Sequence, residues 1–269
     1  MSSSNTKIVF TGNCEYINLP YQKETDLYCM ATLQAPEFEA DERKERKGID
    51  LICVVDKSGS MAGSKIEMVK STLAFMFDQL KPTDRIALVE FDSNISTSLQ
   101  FTNMNESGRS KAKQVVSNIR AGSCTNLSGA LFEGLRLIGQ RTNANEVTSL
   151  LLFTDGLANE GITNTNEIVK KMTTMIHEEI RTNLTVFTFG FGTDTDANML
   201  TSISQAGNGL YYFLQTTDDI PKAFGNVIGG LISVVGQNIK VKIEPNANVK
   251  LKKKKVAMVN AFSEGLKKK

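Results

Sequence analysis

The sequence predicts an α/β fold, a doubly wound and mostly parallel sheet with a small flanking β unit. Three observations lead there. From residue 49 to residue 235, apolar runs of strand length alternate with stretches of helical periodicity. The run Ile49-Asp50-Leu51-Ile52-Cys53-Val54-Val55 is nearly all apolar, as a central parallel strand covered on both faces must be. Outside this stretch, at both ends of the chain, apolar and polar residues alternate with period two, the mark of strands with one wet face.

The elements follow in order. Residues 6–11 are short and β-rich. In residues 27–34, Leu27, Cys29, Ala31 and Leu33 alternate with Tyr28, Met30, Thr32 and Gln34, which predicts a half-buried strand. Residues 35–48 are charged and carry a proline, so they read as an exposed linker. After the 49–55 strand, Ile66, Val69, Leu73, Met76 and Leu80 recur at spacings of three and four. They predict a helix over 64–80, with Ser64 as its N-cap and Pro82 beyond its end. Strands are expected at 84–91 and, as a short edge, 95–101. Helices are expected at 107–120 and 126–141, the second with Leu127, Ala130, Leu131, Leu135 and Ile138 on one face. Then come a strand at 147–153, a helix at 165–181, a strand at 184–191, a helix at 196–205 and a strand at 210–214. A last helix at 218–234 is loosened by Gly229-Gly230. Beyond it, Ile239, Val241 and Ile243 alternate with Lys240 and Lys242, and 248–256 is a further candidate strand.

The domain reading is therefore a β segment and linker over 1–48, the α/β domain over 49–235, and a β segment with a Lys-rich tail over 236–269. The terminal β segments are expected to pair. A chain of 269 residues, 41% hydrophobic and 22% charged, suits that plan. With no Trp and few aromatics, the core must come mainly from Val, Ile, Leu and Phe. The near-neutral total hides an asymmetry: ten Lys and two Glu fall in residues 240–269, leaving an acidic body and a basic tail. The tail reads first as a solvated edge protected by Lys. Contact with nucleic acid or anionic lipid is the secondary reading. The N-terminal residues show no apolar signal core, and no apolar run approaches membrane-spanning length. The expected location is cytoplasmic, with reduced cysteines and no membrane span.

The chemistry concentrates where strands hand over to helices. Asp56-Lys57-Ser58-Gly59-Ser60 follows the 49–55 run, Thr125 precedes the helix at 126, and Asp155-Gly156 follows the strand ending near 153. In a doubly wound sheet, turns at the carboxyl ends of the strands converge on one edge. Asp56, Ser58, Ser60, Thr125 and Asp155 would there offer two carboxylates and three hydroxyls, an all-oxygen set of the kind that Mg2+ prefers. The lone His177 falls within a predicted helix and reads as an exposed helix residue rather than a ligand or general base.

This pattern of Asp-x-Ser-x-Ser, then Thr, then Asp-Gly resembles the metal-ion-dependent adhesion site of von Willebrand factor type A domains, and all five positions match it. The resemblance covers residues 49–235 and implies a Rossmann-like sheet and Mg2+ (or Mn2+) as cofactor. It also implies a noncatalytic protein-interaction module whose partner supplies a carboxylate. The end of the domain is similar to that of intracellular members, plant RING-type ubiquitin ligases among them. The Cys/His array of a RING is missing here, so ligase activity is not carried over. The competing reading is a Mg2+-dependent phosphohydrolase-like enzyme with Asp56 as nucleophile. Against it, Ser58 stands where a second carboxylate would serve as acid or base. A P-loop is also ruled out, because residues 59–65 have the wrong spacing.

Overall fold

The computed structural model describes residues 8–16, 18, 24–34, 48–180 and 182–232. The expected C-terminal strands, the Lys-rich tail and most of the 35–48 linker lie outside the described residues.

Two sheets form. β1 (Val9–Cys14) and β2 (Cys29–Gln34) pair antiparallel, with Val9 opposite Gln34 and Cys14 opposite Cys29. The second sheet has six strands: β3 (Ile49–Asp56), β4 (Arg85–Phe91), β5 (Ile95–Asn103), β6 (Val147–Thr154), β7 (Thr185–Phe191) and β8 (Tyr211–Leu214). Their order is β5-β4-β3-β6-β7-β8, and every neighbouring pair is parallel except β4 with β5. The chain starts in the middle at β3, builds outward through β4 and β5, then returns to build the other half from β6. The strand order therefore reverses between β3 and β6, which is where such sheets open a crevice for ligands.

β3 is buried along its whole length and feeds both faces of the sheet. Leu51, Cys53 and Val55 join a core with α1 (Ser64–Gln79), α2 (Glu106–Ser117) and α6 (Asp219–Ile232). Ile52 and Val54 join the opposite core with α3 (Leu127–Gln140), α4 (Thr165–Thr174) and α5 (Ala197–Ala206). This is the alternation of a pleated strand between two helical layers, and it explains why the run needs no polar face. Phe224 of α6 stacks nearly flat on Phe153 and Phe189, with interplanar angles of 3° and 7°, and ties that helix to β6 and β7.

Several boundaries differ from the sequence reading. Ser64 is the first residue of α1 rather than its cap. Gly63 holds the cap position at φ +79, where a side chain would be strained. Asn105, Asn126, Asn164 and Asp196 do cap their helices, each accepting from a backbone N–H three residues on. The helix expected over 165–181 is α-helical only to Thr174 and continues as a π turn over Met175–Ile180. The wider turn accompanies burial of two consecutive side chains, Met175 and Ile176. The edge strand expected at 95–101 runs to Asn103 and reverses through a tight turn at Asp92–Asn94.

Candidate metal centre

Three loops at the carboxyl edge of the sheet bring the five residues together. The first follows β3. Asp56 Oδ1 accepts from Ser58 N at 2.8 Å, so the carboxylate turns the chain back over the strand end. A 3-10 turn over Gly59–Met61 follows, with Met61 buried beneath it. Ser58 and Ser60 place their hydroxyl oxygens 3.1 Å apart.

The second loop carries Thr125. It is laced to the first by Gly122 N donating to Lys57 O at 2.6 Å and Gly59 N donating to Ser123 O at 2.7 Å. A Cβ at Gly122 would stand 2.1 Å from Asp92 Oδ2, so any side chain there would have to push the Asp92 carboxylate aside. The third loop follows β6. Its Asn159 side chain accepts from Thr125 N at 2.8 Å, while the backbone N–H groups of Asn159 and Glu160 donate to Thr125 O. The three loops that carry the predicted residues are thus bonded to one another.

Asp56, Ser58, Thr125 and Asp155 are buried, and Ser60 is exposed at the rim. Four of the five side chains therefore sit beneath the surface of this sheet edge and one lies at it. Asp56 Oδ2 accepts from Thr154 Oγ1 at 2.5 Å, and Thr154 Oγ1 accepts from Gly156 N. Burial pushes the Asp56 carboxyl from its ordinary 3.8 up to about 6, hydrogen bonds from Thr154 and Ser58 pull the other way, and Asp155 nearby adds to the rise. Among the described residues no Lys or Arg pairs with Asp56.

Asp155 differs. Its Oδ2 accepts from Lys65 Nζ at 3.1 Å, and Lys65 also pairs with Asp194 at 2.8 Å. Burial draws the Lys65 ammonium down, but the hydrogen bonds it donates to Asp194 and Asp155, with their charges, outweigh it and the net direction is up. The same pairing lowers the Asp194 carboxyl. A lysine in the first turn of α1 opposes the helix dipole, so its presence calls for a compensating carboxylate. That is the one sequence signal that could have pointed to Lys65. Thr154, Asn159 and Asp194 left no comparable trace, because their roles depend on loops meeting in space.

Chemically, the set is hard and all-oxygen, and it contains one buried carboxylate without a cationic partner. It suits a divalent cation of the Mg2+ class. Among the described residues no group of three or more His, Cys, Asp or Glu side chains is placed to hold a metal ion, here or elsewhere, so the candidate set rests on two carboxylates and three hydroxyls. His177 is exposed on the π turn. Among the described residues no helix is long and apolar enough to cross a membrane.

The comparisons with known proteins agree with this architecture. Human inter-alpha-trypsin inhibitor heavy chain H1 is 26% identical over 203 residues, covering 72% of this chain and 22% of that protein. The Arabidopsis thaliana E3 ubiquitin-protein ligase WAV3 is 28% identical over 200 residues, covering 74% of this chain and 25% of the ligase. The alignments thus span about a quarter of the length of these relatives. Among solved structures, a von Willebrand factor type A protein from Catenulispora acidiphila superposes with a TM-score of 0.62 at 18% identity, over 84% of this chain and 50% of that one. Proximal thread matrix protein 1 from the mussel byssus, solved with a zinc-occupied MIDAS motif, superposes with a TM-score of 0.52 at 16% identity, over 68% of this chain and 45% of that one. The family model of the von Willebrand factor type A domain matches residues 50–226, from the central strand into the last helix. With more than half of its length matched and the sheet order in place, the chain belongs to the von Willebrand factor type A domain family.

Proposed function

We propose that this domain is a metal-dependent protein-interaction module. In this reading Asp56, Ser58, Ser60, Thr125 and Asp155 hold Mg2+ (or Mn2+), and a partner protein contributes a carboxylate. Domains of this family are generally protein-interaction modules, some of them metal-dependent. The observation that carries the reading is Asp56, a fully buried carboxylate that meets a hydroxyl and an amide but no ammonium or guanidinium. Burying a charge without a counter-charge is costly, and an oxygen-rich crevice is where a cation would offset it. When bound, the ion would supply an electrophilic site for an acidic group.

The chain's own residues divide the work. Thr154 and the Ser58 amide orient Asp56. Asn159 fixes the Thr125 backbone from both sides. Ser60, at the rim, lies on the side from which a partner would approach. Lys65 already holds one oxygen of Asp155, so it acts as an internal competitor for that carboxylate, with Asp194 as its second anchor.

The phosphohydrolase-like alternative has less support. Asp56 is fully buried, and the residue two positions on is Ser58 rather than a second carboxylate that could serve as acid or base. Mn2+ titration by calorimetry tests the proposal. The wild-type protein should bind one ion, and Thr125→Ala should weaken binding about tenfold or more while the fold is kept. Equal affinity in the two proteins would show that Thr125 is no ligand, and no binding by wild type at millimolar Mn2+ would end the metal reading.

A further inference from the structure

The β1–β2 hairpin places two thiols side by side, and nothing in the candidate metal centre uses them. Cys14 and Cys29 are direct cross-strand partners at the loop end of the ladder. Their sulfurs stand 3.0 Å apart, and both residues are exposed. The next pair outward, Glu15 and Tyr28, is joined by Glu15 N donating to Tyr28 O at 2.8 Å. Hydrogen-bonded and non-hydrogen-bonded pairs alternate along an antiparallel ladder, so Cys14 and Cys29 form a non-hydrogen-bonded pair. That is the closer type of pair, with Cα atoms about 4.5 Å apart, inside the range a disulfide spans. The other two cysteines lack this arrangement. Cys53 is buried in β3, and Cys124 is exposed in the Thr125 loop and belongs to no strand.

We propose that Cys14 and Cys29 are a reversible oxidation site, closing to a cross-strand disulfide by exchange with a low-molecular-weight disulfide such as oxidised glutathione. One cysteine thiolate attacks the glutathione disulfide, forming a mixed disulfide and releasing one glutathione thiolate. The second cysteine thiolate attacks the protein-side sulfur, the Cys14–Cys29 bond forms, and the second glutathione leaves. Two electrons pass from the cysteine pair to glutathione, and the two thiol protons end on the released thiolates or in solvent. Because the two sulfurs are already in register, closure asks for little backbone movement. Period-two alternation puts Phe10 and Leu33, themselves cross-strand partners, on the same face as the cysteines. The bond would therefore fix the pairing of that apolar face.

The test uses the full chain, equilibrated in glutathione buffers of increasing oxidised fraction, then alkylated, digested and analysed by mass. The expected product is one intramolecular Cys14–Cys29 link, with Cys124 still open to alkylation and Cys53 protected until unfolding. Amide exchange in residues 9–14 and 29–34 should slow about tenfold in the linked form, because the link constrains local opening. Cys14→Ser should convert the product to a persistent glutathione adduct on Cys29. The proposal is overturned if both cysteines stay alkylatable in the most oxidising buffer. It is also overturned if stable glutathione adducts form on both, or if the links run to Cys124 or between chains.

Discussion

β3 carries an aspartate near each end, and the two could hardly be more alike in burial or less alike in company. Asp50, at the amino end, is fully buried, yet Arg85 grips both its oxygens at 2.8 and 2.6 Å, and Arg141 and Asn145 add further bonds. Asp56, at the carboxyl end and equally buried, meets hydroxyls and a backbone amide but, among the described residues, no cation. One carboxylate is neutralised by the fold itself. The other is held in place and left with its charge unbalanced. Burial alone therefore does not distinguish scaffold from site; the partner list does.

The largest expected effect lies at the scaffold end. Asp50→Ala strips the counter-charge from Arg141, whose side chain is 3% exposed, and from Arg85. A loss of about 3–5 kcal/mol in urea unfolding is expected. A loss below 1 kcal/mol would mean the amino-end cluster is ornamental and the contrast between the two ends is false.

At the other end the sign reverses. Asp56→Asn should stabilise the protein in EDTA at neutral pH while abolishing Mn2+ binding. Raising the carboxyl from 3.8 to about 6 corresponds to an upper figure of about 3 kcal/mol against the ionised form. The sign follows from linkage. A carboxyl whose folded pKa is raised favours the folded state in its neutral form. That contribution is complete below about pH 3.8 and is lost as pH rises through about 6. The gain from Asp56→Asn should thus be seen at pH 7 and 8 and fade toward pH 4. A destabilised variant across that whole range would show that the ionised carboxylate is already well satisfied.

The smallest effect sharpens the contrast from within the site. Lys65→Met removes the ammonium that shares Asp155 and Asp194. Mn2+ affinity should rise a few-fold, and stability in EDTA should fall by about 1–2 kcal/mol, because Asp155 is then also left without a counter-charge. Unchanged affinity would mean Lys65 does not compete for Asp155.

Much of this was legible before any coordinates. The apolar run in β3, the alternation of strands and helices, and the order of the three motifs each reflect local periodicity or turn chemistry, which a linear reading can detect. The helix cap at Gly63 was missed because Ser64 carried the stronger local signal, while the left-handed backbone turn at Gly63 placed the boundary. The π turn was missed because hydrophobic spacing averages over a single widened turn. Lys65 with Asp194, Arg85 and Arg141 with Asp50, and Cys14 with Cys29 were out of reach for another reason. Each pairing joins residues distant in sequence, and only strand register or loop convergence sets them face to face.

The stacked rings also limit how α6 can move. Phe224 lies flat against two aromatic neighbours on β6 and β7 that also stack on each other at 4.9 Å, and it acts as a peg for the helix. Sliding the helix along its axis by a single residue, about 1.5 Å, would pull that peg out of line with both rings. Farther along, Gly229 and Gly230 leave open space where a Cβ would stand, but Val227 and Leu231 of the same turns are buried in the core, so that end of the helix is anchored as well. For this helix, a shift of register would cost ring overlap and core packing together.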